Sequence, residues 1–120
     1  MSLQKLIRSF SFAVSGIASA FRSQFNMRVH AAMAILVLSA SFYFRISLLE
    51  WCIVLLCISS VIAAELINTS LELNVDLSTP LRNEKAGQAK DIAAAAVLVV
   101  SAVSAVIGSI VFIPRIIHML

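Results

Sequence analysis

The sequence predicts an all-α membrane protein with an amphipathic N-terminal surface helix followed by three transmembrane helices. Three observations carry that prediction. Hydrophobic residues make up 61% of the 120 positions and charged residues 12%, with a mean hydropathy of +1.01; a soluble domain carries about a quarter charged residues. Three apolar runs approach or exceed the length that crosses a bilayer. The first twenty-odd residues instead mix basic and apolar groups with a helical period. Too little polar surface remains to wrap this much apolar side chain in water. That excludes a disordered chain, a disulfide scaffold and most small soluble enzymes, and the length allows a single domain over residues 1–120.

Residues 3–24 form the predicted interfacial helix. Leu3, Leu6, Ile7, Phe10, Val14, Ile17 and Phe21 recur at helical spacing, while Lys5, Arg8 and Arg22 fall largely elsewhere and suit lipid headgroups. A secretory signal would show a continuous apolar block rather than this periodicity. The first span, 29–46, is short for a ~30 Å hydrocarbon core; Tyr43 and Phe44 suit the aromatic belt, and Arg45 can snorkel outward. The turn to the second span is too short for anything but an antiparallel hairpin, with Trp51 marking the same interface. The second span, 48–72, keeps helical spacing through Glu65 and beyond. A polar link containing Pro80 and Gly87 leads to the third span, 90–114, whose stretch Ile92 to Ile113 is free of charge and which Pro114 is expected to end. No internal repeat is visible.

The nine cations and six acids are too scattered for a nucleic-acid partner. Four cations lie at or before Arg28 and three between Arg82 and Lys90, against Arg45 and Arg115 on the other side. The positive-inside rule therefore puts the N-terminus and the second loop in the cytoplasm and the C-terminus outside. Cys52 and Cys57 lie in an apolar run without metal-ligand company and, like Met33, read as packing residues. Ser101, Ala105 and Ser109, with Ser104 and Gly108 beside them, form a small-residue ridge suited to close helix packing.

Glu65, Asn68, Thr69, Glu72 and Asp76 occupy positions i, i+3, i+4, i+7 and i+11, hence one helix face. Glu65 and Glu72 are about 10 Å apart along the axis. A carboxylate directly after Val61-Ile-Ala-Ala64 sits at the hydrocarbon boundary, where insertion costs roughly 2.5–3.5 kcal/mol. Two acids with an amide and a hydroxyl between them can bind a cation, or divide labour between a general base and a metal ligand. The plainer reading is the solvated end of a helix leaving the membrane. Lys90 and Asp91 either anchor the third span or join this stripe in a common site, with Lys90 and free backbone N–H groups from Gly87 to Asp91 gripping a phosphate. No GxxxxGKS/T loop exists, so a nucleotide would be held by other means. Arg28 reads equally as a lipid or phosphate contact and as an interface anchor, and His30 reads as a packed or headgroup-facing residue.

Glu65-Leu-Ile-Asn68-Thr69-Ser-Leu-Glu72, then Asp76, then Gly87-Gln-Ala-Lys90-Asp91 with Ala93 and Ala94, closely resembles the small prokaryotic diacylglycerol kinase family, which includes undecaprenol kinases. The stretches Phe10 to Gly16 and Asn26 to His30 match as well, so the resemblance covers nearly the whole chain. It implies a homotrimer in the bacterial cytoplasmic membrane, with active sites between subunits. The reaction implied is transfer of the γ-phosphoryl group of ATP, with Mg²⁺, to a lipid hydroxyl. Position by position, it implies Glu65 as catalytic base and Glu72 as metal ligand. It places Lys5, Phe12, Gln24, Glu72, Asp76, Lys90 and Asp91 around the nucleotide, and Arg28, Asn68 and Ala94 near the lipid substrate. The Asn26 to His30 segment and the Phe112-Ile-Pro-Arg115 ending look more like the undecaprenol branch than the diacylglycerol branch.

One position departs from the family pattern. The second metal ligand, a glutamate four residues before the arginine of N-x-R, is here Gln24, and a neutral amide is a poorer Mg²⁺ ligand than a carboxylate. The departure fits altered metal use, an introduced change, or a catalytically impaired member acting as a membrane scaffold. A small proton or cation transporter built around Glu65 is the other alternative; it leaves the Gly87 to Asp91 match unused.

Overall fold

The computed structural model describes residues 2–120, which form four helices: α1 (Leu3–Ser23), α2 (Phe25–Phe44), α3 (Leu48–Ser78) and α4 (Glu84–Met119). No β-strand occurs among the described residues. Helices α2, α3 and α4 are each long and apolar enough to cross a membrane. At 1.5 Å per residue α4 alone is about 54 Å long, which matches the longest dimension of the molecule, 54 Å.

Local chemistry explains where the helices begin and end. Ser2 caps α1 by accepting from the Lys5 amide. Gln24 is extended (φ −114°, ψ 117°) and serves both as the end of α1 and the start of α2, so the chain turns at a single residue. Arg28 spans that corner, donating to the Arg22 carbonyl at 3.5 Å. At the far end of α2, Arg45 adopts the left-handed conformation (φ 51°), and its N–H reaches the Phe42 and Ser41 carbonyls. Ser47 and Glu50 then form a capping box that starts α3.

The α3–α4 hairpin is the main packing unit, with α2 leaning against α3 and more lightly against α4. Its apolar core, Ile46, Val54, Val111 and Phe112, lies near the α2–α3 turn, with Phe44 and Trp51 packed on it. Beside it, Arg115 donates two hydrogen bonds to the Glu50 carboxylate, both 2.8 Å, locking the start of α3 to the end of α4. Most large apolar side chains elsewhere are exposed, as a lipid-facing surface requires.

Two expectations fail at α4. The helix starts at Glu84, not near residue 90, because Asn83 accepts from the Lys85 and Ala86 amides and acts as a strong cap. It also runs through Pro114 to Met119. Pro114 leaves the Ile110 carbonyl without its helical donor and crowds that turn, yet the helix continues, and the neighbouring Val111 carbonyl accepts a bond from the Arg115 side chain at 2.7 Å. Packing roles differ too: Cys52 and Met33 are exposed, while Cys57 is half-buried; both cysteines are free. Ala105 and Ser109 of the small-residue ridge are likewise exposed, while Ser101, Ser104 and Gly108 are half-buried.

Candidate active site

Helix α3 continues without a break past its apolar stretch, because Glu65 to Ser78 contains neither glycine nor proline. Its polar stripe therefore forms a single face that passes from apolar surroundings into polar ones. Glu65 is 1% exposed, Asn68 6% and Thr69 5%; Glu72 is half-buried and Asp76 is exposed. Thr69 returns its hydroxyl to the Glu65 carbonyl at 2.9 Å, which satisfies the hydroxyl without using the carboxylate. Asn68 donates its amide to Glu72 at 3.3 Å.

The plainer reading of the stripe, a solvated helix end, holds for Asp76 and fails for Glu65. Two acceptors in the stripe are buried without a hydrogen-bond donor: Glu65 Oε2 and Asn68 Oδ1. Native proteins rarely leave such atoms unmet; a bound water, an ion, local strain or a catalytic role accounts for those that persist. The imidazole of His30, from α2, lies 3.5 Å from Glu65 Oε2. Spacing gave no hint of that approach, because the two residues lie on different helices.

Helix α4 supplies a cation to the stripe. Lys90 bonds Asp76, closing a charged pair across the open end of the hairpin. Asp91 is exposed on the next position, and Ala94 is exposed one turn further on. The expected phosphate grip by backbone amides is not available at Gly87, whose N–H donates to the Asn83 carbonyl at 3.0 Å. Gly87 to Asp91 lie inside α4, where each backbone amide belongs to the helical ladder, so the charged donor there is the Lys90 side chain.

The remaining expected residues lie on α1 and α2. Lys5 and Phe12 are exposed on α1, Arg28 is exposed on α2, and Gln24 is half-buried at the corner between them. Among the described residues, charged side chains of other helices reach the stripe at His30 and Lys90. Among the described residues no three of His, Cys, Asp and Glu gather into a metal cage. The oxygen donors of Glu72 and the unpartnered Asn68 carbonyl nevertheless suit a hard cation of the kind that keeps waters and phosphate oxygens in its shell.

An apolar groove of about 550 Å³ runs along the hairpin from His30 to Phe112, between α2, α3 and α4. Its walls include Val29, Val61, Ile107 and Gly108. A polar stripe at one end of such a groove can act on the polar head of an apolar molecule.

Residues 11–112 match the family model of the prokaryotic diacylglycerol kinases. The chain belongs to that family. Among its relatives, the undecaprenol kinase of Bacillus subtilis (strain 168) is 39% identical over 94% of this chain and 92% of its own length. A diacylglycerol kinase of Synechocystis sp. is 31% identical over 96% of this chain and 66% of its own length. A diacylglycerol kinase of Haemophilus influenzae is 28% identical over 92% of this chain and 94% of its own length. These relatives are lipid kinases, and this diacylglycerol kinase family member is an enzyme of that class.

Proposed function

We propose that this chain transfers the γ-phosphoryl group of ATP to the hydroxyl of a membrane lipid at the cytoplasmic face. The observation that carries the reading is the buried Glu65 carboxylate, with one oxygen unmet, at the buried end of a polar stripe whose other end, Asp76, is exposed. Family membership supplies the reaction class.

The residues divide the work as follows. The lipid stem lies along the apolar groove, with its hydroxyl beside Glu65. Arg28, Asn68 and Ala94 bound the lipid end. Lys90, Asp76 and Asp91, joined by Lys5 and Phe12 of α1, hold the nucleotide. Glu72 and the Gln24 amide would hold Mg²⁺, which when bound neutralises phosphate charge. Glu65 removes the hydroxyl proton as the lipid oxygen attacks the γ-phosphorus; the bond from that phosphorus to the bridging oxygen breaks, and ADP leaves. Such transfer depends on positioning and charge neutralisation, which carboxylates and one lysine can provide without a P-loop.

A homotrimer accounts for the site's dispersal, because α1 and α2 residues absent from the stripe of one protomer can reach that of a neighbour. The helix α1 lies in the membrane interface, basic side toward headgroups. Undecaprenol is the favoured alcohol, supported by the 39% identity to an undecaprenol kinase against 31% and 28% to diacylglycerol kinases.

Purified protein in detergent with labelled ATP, Mg²⁺ and either undecaprenol or diacylglycerol tests the proposal. Transfer to one of the alcohols, faster to undecaprenol and lost in Glu65→Gln, is the expected result. No transfer to either, even in Gln24→Glu, would overturn it and favour a scaffold or a transporter.

A further inference from the structure

The contact between His30 and Glu65 joins the apolar groove to the polar stripe. Glu65 is buried to 1% exposure and does not itself line the apolar groove, whereas the half-buried His30 does. The imidazole therefore stands where the groove meets the carboxylate. Oε2 of Glu65 accepts no hydrogen bond, and His30 Nε2 is 3.5 Å away.

A carboxylate base presents two oxygens, and only one can take the substrate proton. Rotation about the last side-chain bond of glutamate is soft, so an unheld carboxylate presents its oxygens in many orientations. A neutral imidazole carrying its proton on Nε2 is a donor of the right kind to hold one of them. The 3.5 Å separation is longer than a formed N–H···O bond, and catalytic contacts of this type tighten once substrate is in place.

We infer that His30 is a positioning residue for Glu65. Its Nε2–H engages Oε2, which leaves Oε1 to face the lipid hydroxyl, and its ring closes the polar end of the groove. The catalytic consequence rests on the lipid kinase reading; the contact itself does not.

Three variants of the full chain, His30→Ala, His30→Phe and His30→Gln, test the role in the labelled-ATP assay. His30→Ala and His30→Phe should lower kcat about 10–30-fold with KM for ATP changed less than about twofold. His30→Gln, whose amide nitrogen lies where Nε2 does, should recover to within about threefold of the parent. Because the chain has two histidines, His30 and His118, ¹⁵N-histidine spectra in micelles read the contact directly. The His30 Nε2 resonance should move in Glu65→Gln while that of His118 stays. A parental kcat in His30→Ala, a His30→Gln variant as slow as His30→Phe, or an unmoved His30 resonance overturns the inference. If the parent phosphorylates neither alcohol, the kinase reading fails while the nitrogen spectrum still decides the contact. If His30→Ala does not fold, the comparison of His30→Gln with His30→Phe decides the role.

Discussion

Replacing Glu65 by glutamine should stabilise the protein while removing its activity. Glu65 stands about 26 Å along α3 from Leu48, close to the far boundary of a ~30 Å hydrocarbon core. An ionised side chain at the centre of a span costs roughly 2.5–3.5 kcal/mol, and the boundary reduces that. Here the side chain is 1% exposed and Oε2 lacks a donor, so little hydration offsets the cost. His30 at 3.5 Å supplies part of the missing stabilisation. The amide keeps the shape, drops the charge and adds a donor, for an expected gain of about 1 kcal/mol. For a chain of this length that raises Tm by about 3–6 °C. Loss of a general base lowers kcat by about 10²–10⁴. Thermal melts of the detergent-solubilised protein and the labelled-ATP assay read the two effects on one preparation. A fall in Tm, or a rate above about a tenth of the parental value, would refute the reasoning and make Glu65 a packing residue.

Gln24→Glu should raise the rate at limiting Mg²⁺, because a carboxylate is a better ligand than an amide for that cation; equal rates across a Mg²⁺ titration would remove Gln24 from the metal shell. Asp76→Asn frees Lys90 from its partner and should change KM for ATP more than kcat, as measured by initial rates against ATP concentration. Phe112→Ala opens the cluster of Ile46, Val54 and Val111 and should cost about 3–5 kcal/mol in unfolding, as read by a thermal melt. Arg115→Gln should lower Tm by leaving the Glu50 carboxylate without its two guanidinium bonds, and adding Glu50→Gln should restore part of the loss.

The parts legible in the sequence were those governed by local geometry. Glu65, Asn68, Thr69, Glu72 and Asp76 share a face because α3 is unbroken, and the spacing of a helix is enough to deduce that. Less legible was the start of α4: Gly87 and Pro80 suggested a loop, while the Asn83 cap ahead of Glu84 outweighed them. Pro114 misled for a related reason, since its ring disturbs one turn and the helix resumes beyond it to Met119. His30 was hidden because its importance comes from α2 leaning on α3, a tertiary event with no periodic signature. Gln24 was marked by the family resemblance alone, as an amide where the pattern has a glutamate, and its place at the corner between α1 and α2 required coordinates.

The uninterrupted α3 works as a ruler. Glu65 to Asp76 measures about 16 Å along the axis, and no hinge, loop or glycine within that interval can change it. One residue inserted between Glu65 and Glu72 would swing every later group by about 100° and lift it by about 1.5 Å, turning Glu72 and Asp76 away from the face that holds Glu65. Four inserted residues would nearly restore the direction yet add about 6 Å to the gap. Exchanging one side chain along this stretch leaves the spacing of the others unchanged, whereas changes in its length cannot be absorbed; insertions belong in the 79–83 link, where they leave the ruler intact.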